Sequence, residues 1–272
     1  MQTMSWLPPP STGPRVLLGC TGSVATIKVP ELARRLQECG ASVIIIPTEN
    51  ACHFLRCQAK VGSAAIHTPN HGGSGDVIRP GIKADENVEL RGSGSEEENS
   101  CSDQCSHCGN RTPIRRKQTD DNDCDVKSLY PDLNFVLDQD EWAAWNGRGD
   151  PVLHIHLRDW AQVMVIAPLD ANTMAKIAQG LCDNLLTSTV RAWDIARPLV
   201  FCPAMNTHMY NHPLTFKHTA ILKELGYIEV CVVSKRLACG DVGPGAMAEL
   251  DSIINAVMQE LPGTHRVSHG PF

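Results

Sequence analysis

Four turns in this 272-residue chain gather small and polar side chains of types that do chemistry. The first is Gly19-Cys20-Thr21-Gly22-Ser23-Val24-Ala25. Small residues between a strand and a helix let backbone N–H groups approach a phosphate at the helix N-terminus, and Ser23 adds a hydroxyl donor. The spacing is not G-x-G-x-x-G, which points to a mononucleotide rather than a dinucleotide. An ordinary tight βα turn accounts for the same residues and stays open as a reading. Pro47-Thr48-Glu49-Asn50-Ala51 and Pro168-Leu169-Asp170-Ala171-Asn172-Thr173 also end apolar runs with small polar side chains. Helix capping by Thr48, Asp170 or Asn172 explains each one alone. Several such turns on one sheet edge point to a site.

Cys202-Pro203-Ala204-Met205-Asn206 ends a further apolar run, and Asn206 offers both a donor and an acceptor to an amide or carboxylate. Lys235-Arg236-Leu237-Ala238-Cys239-Gly240-Asp241 lies in a Gly-rich loop that reaches Gly245-Ala246-Met247. Basic residues beside a cysteine suit a reactive thiol or a bound phosphate, and the glycines suit a flap. His154 and His156 stand two apart; a poised acid or base is one reading and a bland histidine the other. No third ligand has metal spacing near them, so no metal is expected. Cys105-Ser-His-Cys108, with Cys101, has one C-x-x-C and no second, and reads as unligated thiols.

The elements that must carry these turns are short apolar runs alternating with amphipathic segments. Arg15–Gly19, Ser42–Pro47, Val163–Pro168, Leu199–Pro203 and Ile228–Val233 read as buried strands. Continuous apolar runs suit a parallel sheet covered on both faces. Val29, Leu32, Ala33 and Leu36 keep helical spacing before Gly40, with Pro30 confined to the first turn. Further helices are expected over Asn172–Gly180, Pro213–Leu225 and Met247–Glu260. The alternation predicts an α/β fold: one doubly wound, Rossmann-like or flavodoxin-like parallel sheet over residues 15–261. Lys60 to Asp125 is rich in Gly, Ser, Asn, Asp and Glu and reads as a low-complexity, disordered insertion; 1–14 and 262–272 read as flexible tails.

The formal net charge is −6, and the basic cluster Arg115-Arg116-Lys117 is short, so no nucleic-acid partner is expected. No apolar stretch nears the roughly 18 residues of a membrane helix, and Met1–Pro14 lacks a signal-peptide pattern. A cytoplasmic protein without a membrane partner is expected. Twelve cysteines scattered through apolar patterns, Cys202 and Cys231 among them, read as reduced and mostly buried thiols.

Taken in order, Thr21-Gly-Ser-Val-Ala25, Asp140-Glu-Trp142, Asp150-Pro-Val-Leu-His-Ile155, Ala167-Pro-Leu-Asp-Ala-Asn-Thr173, Cys182-Asp-Asn-Leu-Leu186, Pro203-Ala-Met-Asn206 and Ala238-Cys-Gly-Asp241 resemble the homo-oligomeric flavin-containing cysteine decarboxylases. The resemblance spans about Arg15–Leu55 and Tyr130–Leu261. It implies FMN-dependent decarboxylation of 4′-phosphopantothenoylcysteine to 4′-phosphopantetheine, a step of coenzyme A synthesis, in a homotrimer with sites between subunits. It implies FMN contacts at Gly22, Ser23, Val24, Thr48, Asp170, Ala171, Asn172, Thr173 and Ala204. It also implies substrate contacts at Asn206, Arg236, Ala238 and Met247. By the same resemblance His154 is the acid/base, Asn206 holds the substrate carboxylate and amide, and Cys239 protonates an enethiol intermediate.

Two positions depart from the family pattern. His156 stands where relatives carry an acid, and Asp159 where they carry a second arginine, for which Arg158 is the available substitute. Some fungal relatives of this fold act as phosphatase inhibitors, so a regulatory phosphatase-binding protein is the alternative. The presence of His154, Asn206 and Cys239 together favours an enzyme. The Ala238-Cys239-Gly240 loop and the Asp140-Glu141-Trp142 segment favour the pantothenate branch over peptidyl-cysteine decarboxylases and flavin prenyltransferases.

Overall fold

The computed structural model describes residues 13–64, 125–237 and 239–261. Its centre is a five-stranded parallel sheet of β1 (Arg15–Cys20), β2 (Ser42–Pro47), β3 (Val163–Leu169), β4 (Leu199–Pro203) and β5 (Ile228–Glu229), in the order β2-β1-β3-β4-β5. Register is set by apolar pairs such as Leu17 with Ile44 and Leu18 with Val165. Side chains alternate across a strand, so the continuous apolar runs feed two cores. Val16, Leu18, Val43, Ile45, Val163, Val165 and Val200 face one side. Leu17, Ile44, Ile46, Met164, Ile166 and Phe201 face the other.

Helices bury both faces. On the first lie α1 (Val29–Glu38) and α10 (Leu250–Gln259), which supply Val29, Leu32, Leu36, Ile253, Ile254 and Val257. They are joined there by Leu55 of α2 (Glu49–Ala64) and Val126 of α3 (Val126–Leu129). On the second face lie α5 (Leu153–Trp160), α6 (Ala171–Gln179) and α7 (Leu185–Arg191), through Leu153, Leu157, Met174, Ile177 and Leu186. Helix α4 (Asp138–Ala144) packs on α5 and α7, while α8 (Thr207–Tyr210) and α9 (Pro213–Glu224) come between β4 and β5. Pro30 occupies the first turn of α1, the one place where its missing N–H costs nothing. A single 3₁₀ turn, Val24–Lys28, separates β1 from α1.

The chain winds outward from β1 to β2 and then returns to β3 on the opposite side of β1. The strand order therefore reverses between β1 and β3. A crevice opens there beyond the carboxyl ends, where ligands bind in doubly wound sheets.

Three expectations need correction. The buried strand foreseen over Ile228–Val233 is only two residues long, and Cys231 beyond it is exposed, because the chain leaves the sheet after Glu229. It then forms an antiparallel hairpin of β6 (Val233–Arg236) and β7 (Val242–Ala246). The polar Ser234, Lys235 and Arg236 of β6 give no apolar run to notice. Five of the eight described cysteines (Cys39, Cys57, Cys182, Cys231 and Cys239) are exposed, so the thiols are not mostly buried. Helix α2 continues to Ala64, past the Lys60 boundary foreseen for the insertion; the remainder of that segment and both tails lie outside the described residues. Among the described helices none is long and apolar enough to cross a membrane.

Candidate active site

Thr21 ties the two strands of the switch point together. Its buried hydroxyl donates to the Pro168 carbonyl at 2.9 Å and accepts from the Asp170 N–H at 2.7 Å. Its carbonyl accepts from the Thr26 hydroxyl at 2.6 Å, which fixes the 3₁₀ turn. Asp170 caps α6 by accepting from the Thr173 N–H at 2.7 Å. Two βα turns are thereby held side by side. Gly22 packs where they meet: a Cβ there would come within 2.8 Å of Asn50 Cβ and 3.1 Å of Asp170 Oδ2. The close approach explains the glycine.

A cavity of about 500 Å³ opens over these turns. Of the foreseen site residues, Gly22, Ser23, Val24, Asp170, Ala171, Asn172 and Ala204 line it, as do Asn206, Arg236, Cys239 and Met247. Thr48 and Thr173 do not. Thr48 is 7% exposed and its hydroxyl accepts from the Ala51 N–H at 3.3 Å; Thr173 is 2% exposed and serves the Asp170 cap. Both act on the helix starts behind the cavity. Ala238 lies outside the described residues. Lys28, Phe54, Met205, Met209 and Lys235 also line the cavity without having been singled out as contacts. Lys28 follows the phosphate-type turn by one 3₁₀ turn, and that spacing was the available signal.

The β6–β7 hairpin closes one side. Met205 N–H donates to the Gly245 carbonyl at 2.9 Å, and a Cβ at Gly245, where φ is +131°, would sit 2.4 Å from the Met205 carbonyl oxygen. Only glycine permits that contact. At the hairpin turn Asn206, Cys239 and Asp241 form a cluster. Asn206 Nδ2 donates to Asp241 Oδ2 at 2.6 Å and to Cys239 Sγ at 3.1 Å. The Cys239 thiol donates to the same carboxylate at 3.4 Å. The Asn206 amide and then the Cys239 thiol hold Asp241 below its ordinary carboxylate range. Burial pushes the Cys52 thiol up to about 11 and raises Cys20 well above its ordinary value, which disfavours the thiolate at both.

His154 lines a different cavity, of about 400 Å³, with Glu141, Trp142, Trp145, Asp138 and Cys182. Its Nδ1 is hydrogen-bonded to Glu141 Oε1. Burial first, then Glu141 and other nearby acids, raise Asp138 above the usual carboxylate range, while the Leu185 N–H donates to it at 2.8 Å. The structure therefore brings Asn206 and Cys239 together and leaves His154 apart. Asp159 pairs with Arg158 at 2.8 Å, and neither lines the two cavities. Among the described residues no three His, Cys, Asp or Glu side chains are grouped to hold a metal. Cys101, Cys105, His107 and Cys108 lie outside those residues.

The flavoprotein family matches residues 7–262. The chain is 40% identical over 248 residues to the mouse protein named phosphopantothenoylcysteine decarboxylase, covering 91% of this chain and 87% of that one. Among solved structures, it is similar to a cysteine-to-serine mutant of a PPC decarboxylase complexed with pantothenoylaminoethenethiol. The TM-score is 0.63 and the identity 37%, over 90% of this chain and 97% of that one. It is similar also to the FMN binding protein AtHal3, with a TM-score of 0.60 and 37% identity over 90% and 95% of the two chains. The chain belongs to the flavoprotein family and, within it, to the phosphopantothenoylcysteine decarboxylase group.

Proposed function

We propose that this protein is an FMN-dependent decarboxylase that converts 4′-phosphopantothenoylcysteine to 4′-phosphopantetheine for coenzyme A synthesis, acting as a cytoplasmic homotrimer. The observation that carries the reading is the cavity at the β1/β3 switch point, where a phosphate-type turn, Asn206 and Cys239 converge. Its residues fit FMN. The Gly22 turn is packed too closely for any side chain, Ser23 and Asn172 supply polar edges, and Ala204, Met205 and Met247 supply apolar wall. Its volume lies within the roughly 300–1,000 Å³ usual for cofactor and ligand sites. Gly22, Ser23, Val24, Asp170, Ala171, Asn172 and Ala204 would hold the cofactor, with Thr48 and Thr173 shaping their helix starts. Bound FMN would supply a two-electron acceptor and donor beside the carbon that bears the substrate's sulfur.

The protein's own groups do the rest. Asn206 Nδ2, a donor already engaged with a carboxylate, takes the substrate carboxylate in place of Asp241. Lys28, Lys235 and Arg236 bring positive charge to the same cavity for the substrate phosphate. Ala238 and Met247 complete the substrate wall. Cys239, at the turn of a hairpin flap, donates its thiol proton to the unsaturated thiol product of decarboxylation. His154 takes the proton released earlier. It lines a separate cavity, so the site is complete only when a second copy presents its His154 to the first copy's crevice. The exposed Trp142, Trp145 and Val152 around His154 suit burial against such a copy.

The test is direct. The purified chain, supplied with FMN, is incubated with 4′-phosphopantothenoylcysteine. CO₂ and 4′-phosphopantetheine in equal amounts are expected; a flavin-loaded trimer that releases neither would overturn the reading.

A further inference from the structure

The geometry points to Glu141 as the positioning residue of His154, a role that rests on the proposed action of His154 as base. We infer that its carboxylate fixes the ring proton on Nδ1 and leaves the Nε2 lone pair as the proton acceptor.

Chemistry selects the tautomer. An ionised carboxylate only accepts hydrogen bonds, so a neutral imidazole held by Glu141 at Nδ1 must carry its proton there. Nε2 is then the basic nitrogen, and among the described residues no hydrogen bond is made to it. Asp138 and Asp183 line the same cavity, but the ring contact is made by Glu141. The side chains are 27% and 17% exposed, which removes most of the competing water.

Glu141 is itself held. It lies in the first turn of α4, and that turn is pinned three times. Asp138 accepts from the Leu185 N–H at 2.8 Å, which joins α4 to α7. Asp140 accepts from the Leu137 N–H at 2.7 Å and from Lys127 Nζ at 2.8 Å. His154 stands at the start of α5, which packs on α4 and α7. A base held by a group that is itself anchored keeps its aim. The proton balance closes without a further transfer. When Nε2 gains a proton the ring becomes imidazolium, Nδ1–H stays on the ring, and the Glu141 carboxylate compensates the charge.

A bare staple between α4 and α5 would use the same contact, so the test must separate positioning from stapling. CO₂ release is measured in a single turnover with the FMN-loaded full chain for the wild type, E141Q, E141D, H154N and the E141Q/H154N double variant. Glutamine presents both an acceptor and a donor, so it permits the wrong tautomer. E141Q is expected to slow CO₂ release by at least about tenfold, a fraction of what a general base contributes. E141D is expected to restore part of it. The double variant is expected to be no slower than H154N, because residues acting as one unit are not additive. Ring-¹⁵N-histidine NMR of the protein is expected to show His154 protonated at Nδ1 in the wild type and a shift toward Nε2–H in E141Q. An E141Q rate equal to wild type, or additive losses, overturns the inference. If E141Q does not yield folded protein, an Nε2-protonated ring in the wild type does so alone. H154N releasing CO₂ at the wild-type rate would instead sink the role given to His154.

Discussion

Asn206 and Asp241 lie 2.6 Å apart, amide nitrogen to carboxylate oxygen, and this contact joins the carboxyl end of β4 to the hairpin turn. The other end of the amide is also spoken for, because Asn206 Oδ1 accepts from the His208 N–H at 2.8 Å. The two contacts fix which end of the amide faces the cavity: the donor does. A carboxylate of the protein thus rests on the amide proposed to hold the substrate carboxylate.

The pH response of this clasp follows from Asp241. Hydrogen bonds from Asn206 and then from Cys239 depress it below its ordinary 3.8. A depressed acid stabilises the folded arrangement fully above its unfolded value and loses that contribution as pH falls through the folded one. The hairpin Val233–Ala246 is therefore expected to stay protected above about pH 4 and to loosen below the ordinary 3.8. Amide exchange of that segment, corrected for its intrinsic pH dependence, measures this. Asp241→Asn should exchange faster at neutral pH and show no acid transition of its own.

Thr21→Val keeps the shape and removes the hydroxyl. It strands the Pro168 carbonyl and the Asp170 N–H inside the switch point. An unpaired buried group costs about 1–3 kcal/mol, so the urea midpoint should fall by a corresponding amount with an unchanged slope. FMN affinity should fall as well, because the same hydroxyl sets the position of the Asp170 turn. An unaltered midpoint would mean that water or a backbone shift satisfies both groups.

Gly22→Val tests the turn more sharply. Its side chain must displace Asn50 and Asp170, of which Asp170 lines the cavity. The two cores do not include this position. Folding should therefore survive, with FMN binding weakened at least about tenfold, or ~1.4 kcal/mol. Titration by flavin fluorescence against a circular-dichroism control checks both halves.

How much of this was legible in sequence depends on which physical signal each part leaves. Leu17, Ile44, Val165 and Phe201 sit in unbroken apolar runs, and such runs have one common explanation, a sheet buried on both faces. Gly22 and Ser23 announced a tight approach through small size alone. Thr48 and Thr173 stand in the same kind of turn, yet Thr48 caps a helix start and Thr173 gives its N–H to the Asp170 cap, and neither lines the cavity; composition cannot tell a lining residue from one that serves a cap. The Glu141–His154 contact spans 13 positions and joins two short helices, so no periodicity encodes it. The separation of His154 from Cys239 is likewise a property of the folded chain. Cys231 misled because an apolar neighbourhood in sequence became a chain leaving the sheet.

His154 and Cys239 should fail at different stages of one reaction. They line separate cavities and face different demands. In the proposed reaction His154 would act early, when a proton must leave the substrate before CO₂ can depart, so His154→Asn should suppress CO₂ release itself. Cys239 would act late in that reaction, after CO₂ has gone, when the unsaturated thiol must be protonated. Its Sγ sits beside Asn206, the group proposed to hold the departing carboxylate, and is thus close to the carbon that needs the proton. Serine preserves size and polarity, but a hydroxyl is a far weaker acid than a thiol. Cys239→Ser should release CO₂ in a first turnover and accumulate an enethiol in place of 4′-phosphopantetheine. The related cysteine-to-serine mutant is complexed with pantothenoylaminoethenethiol, a compound of that kind held by a protein of this fold. Single-turnover mixing followed by product mass, with flavin absorbance as an independent readout, decides the matter. Normal 4′-phosphopantetheine formation by Cys239→Ser would show that the thiol is not the acid, and the proton would then have to come from another group at the cavity wall.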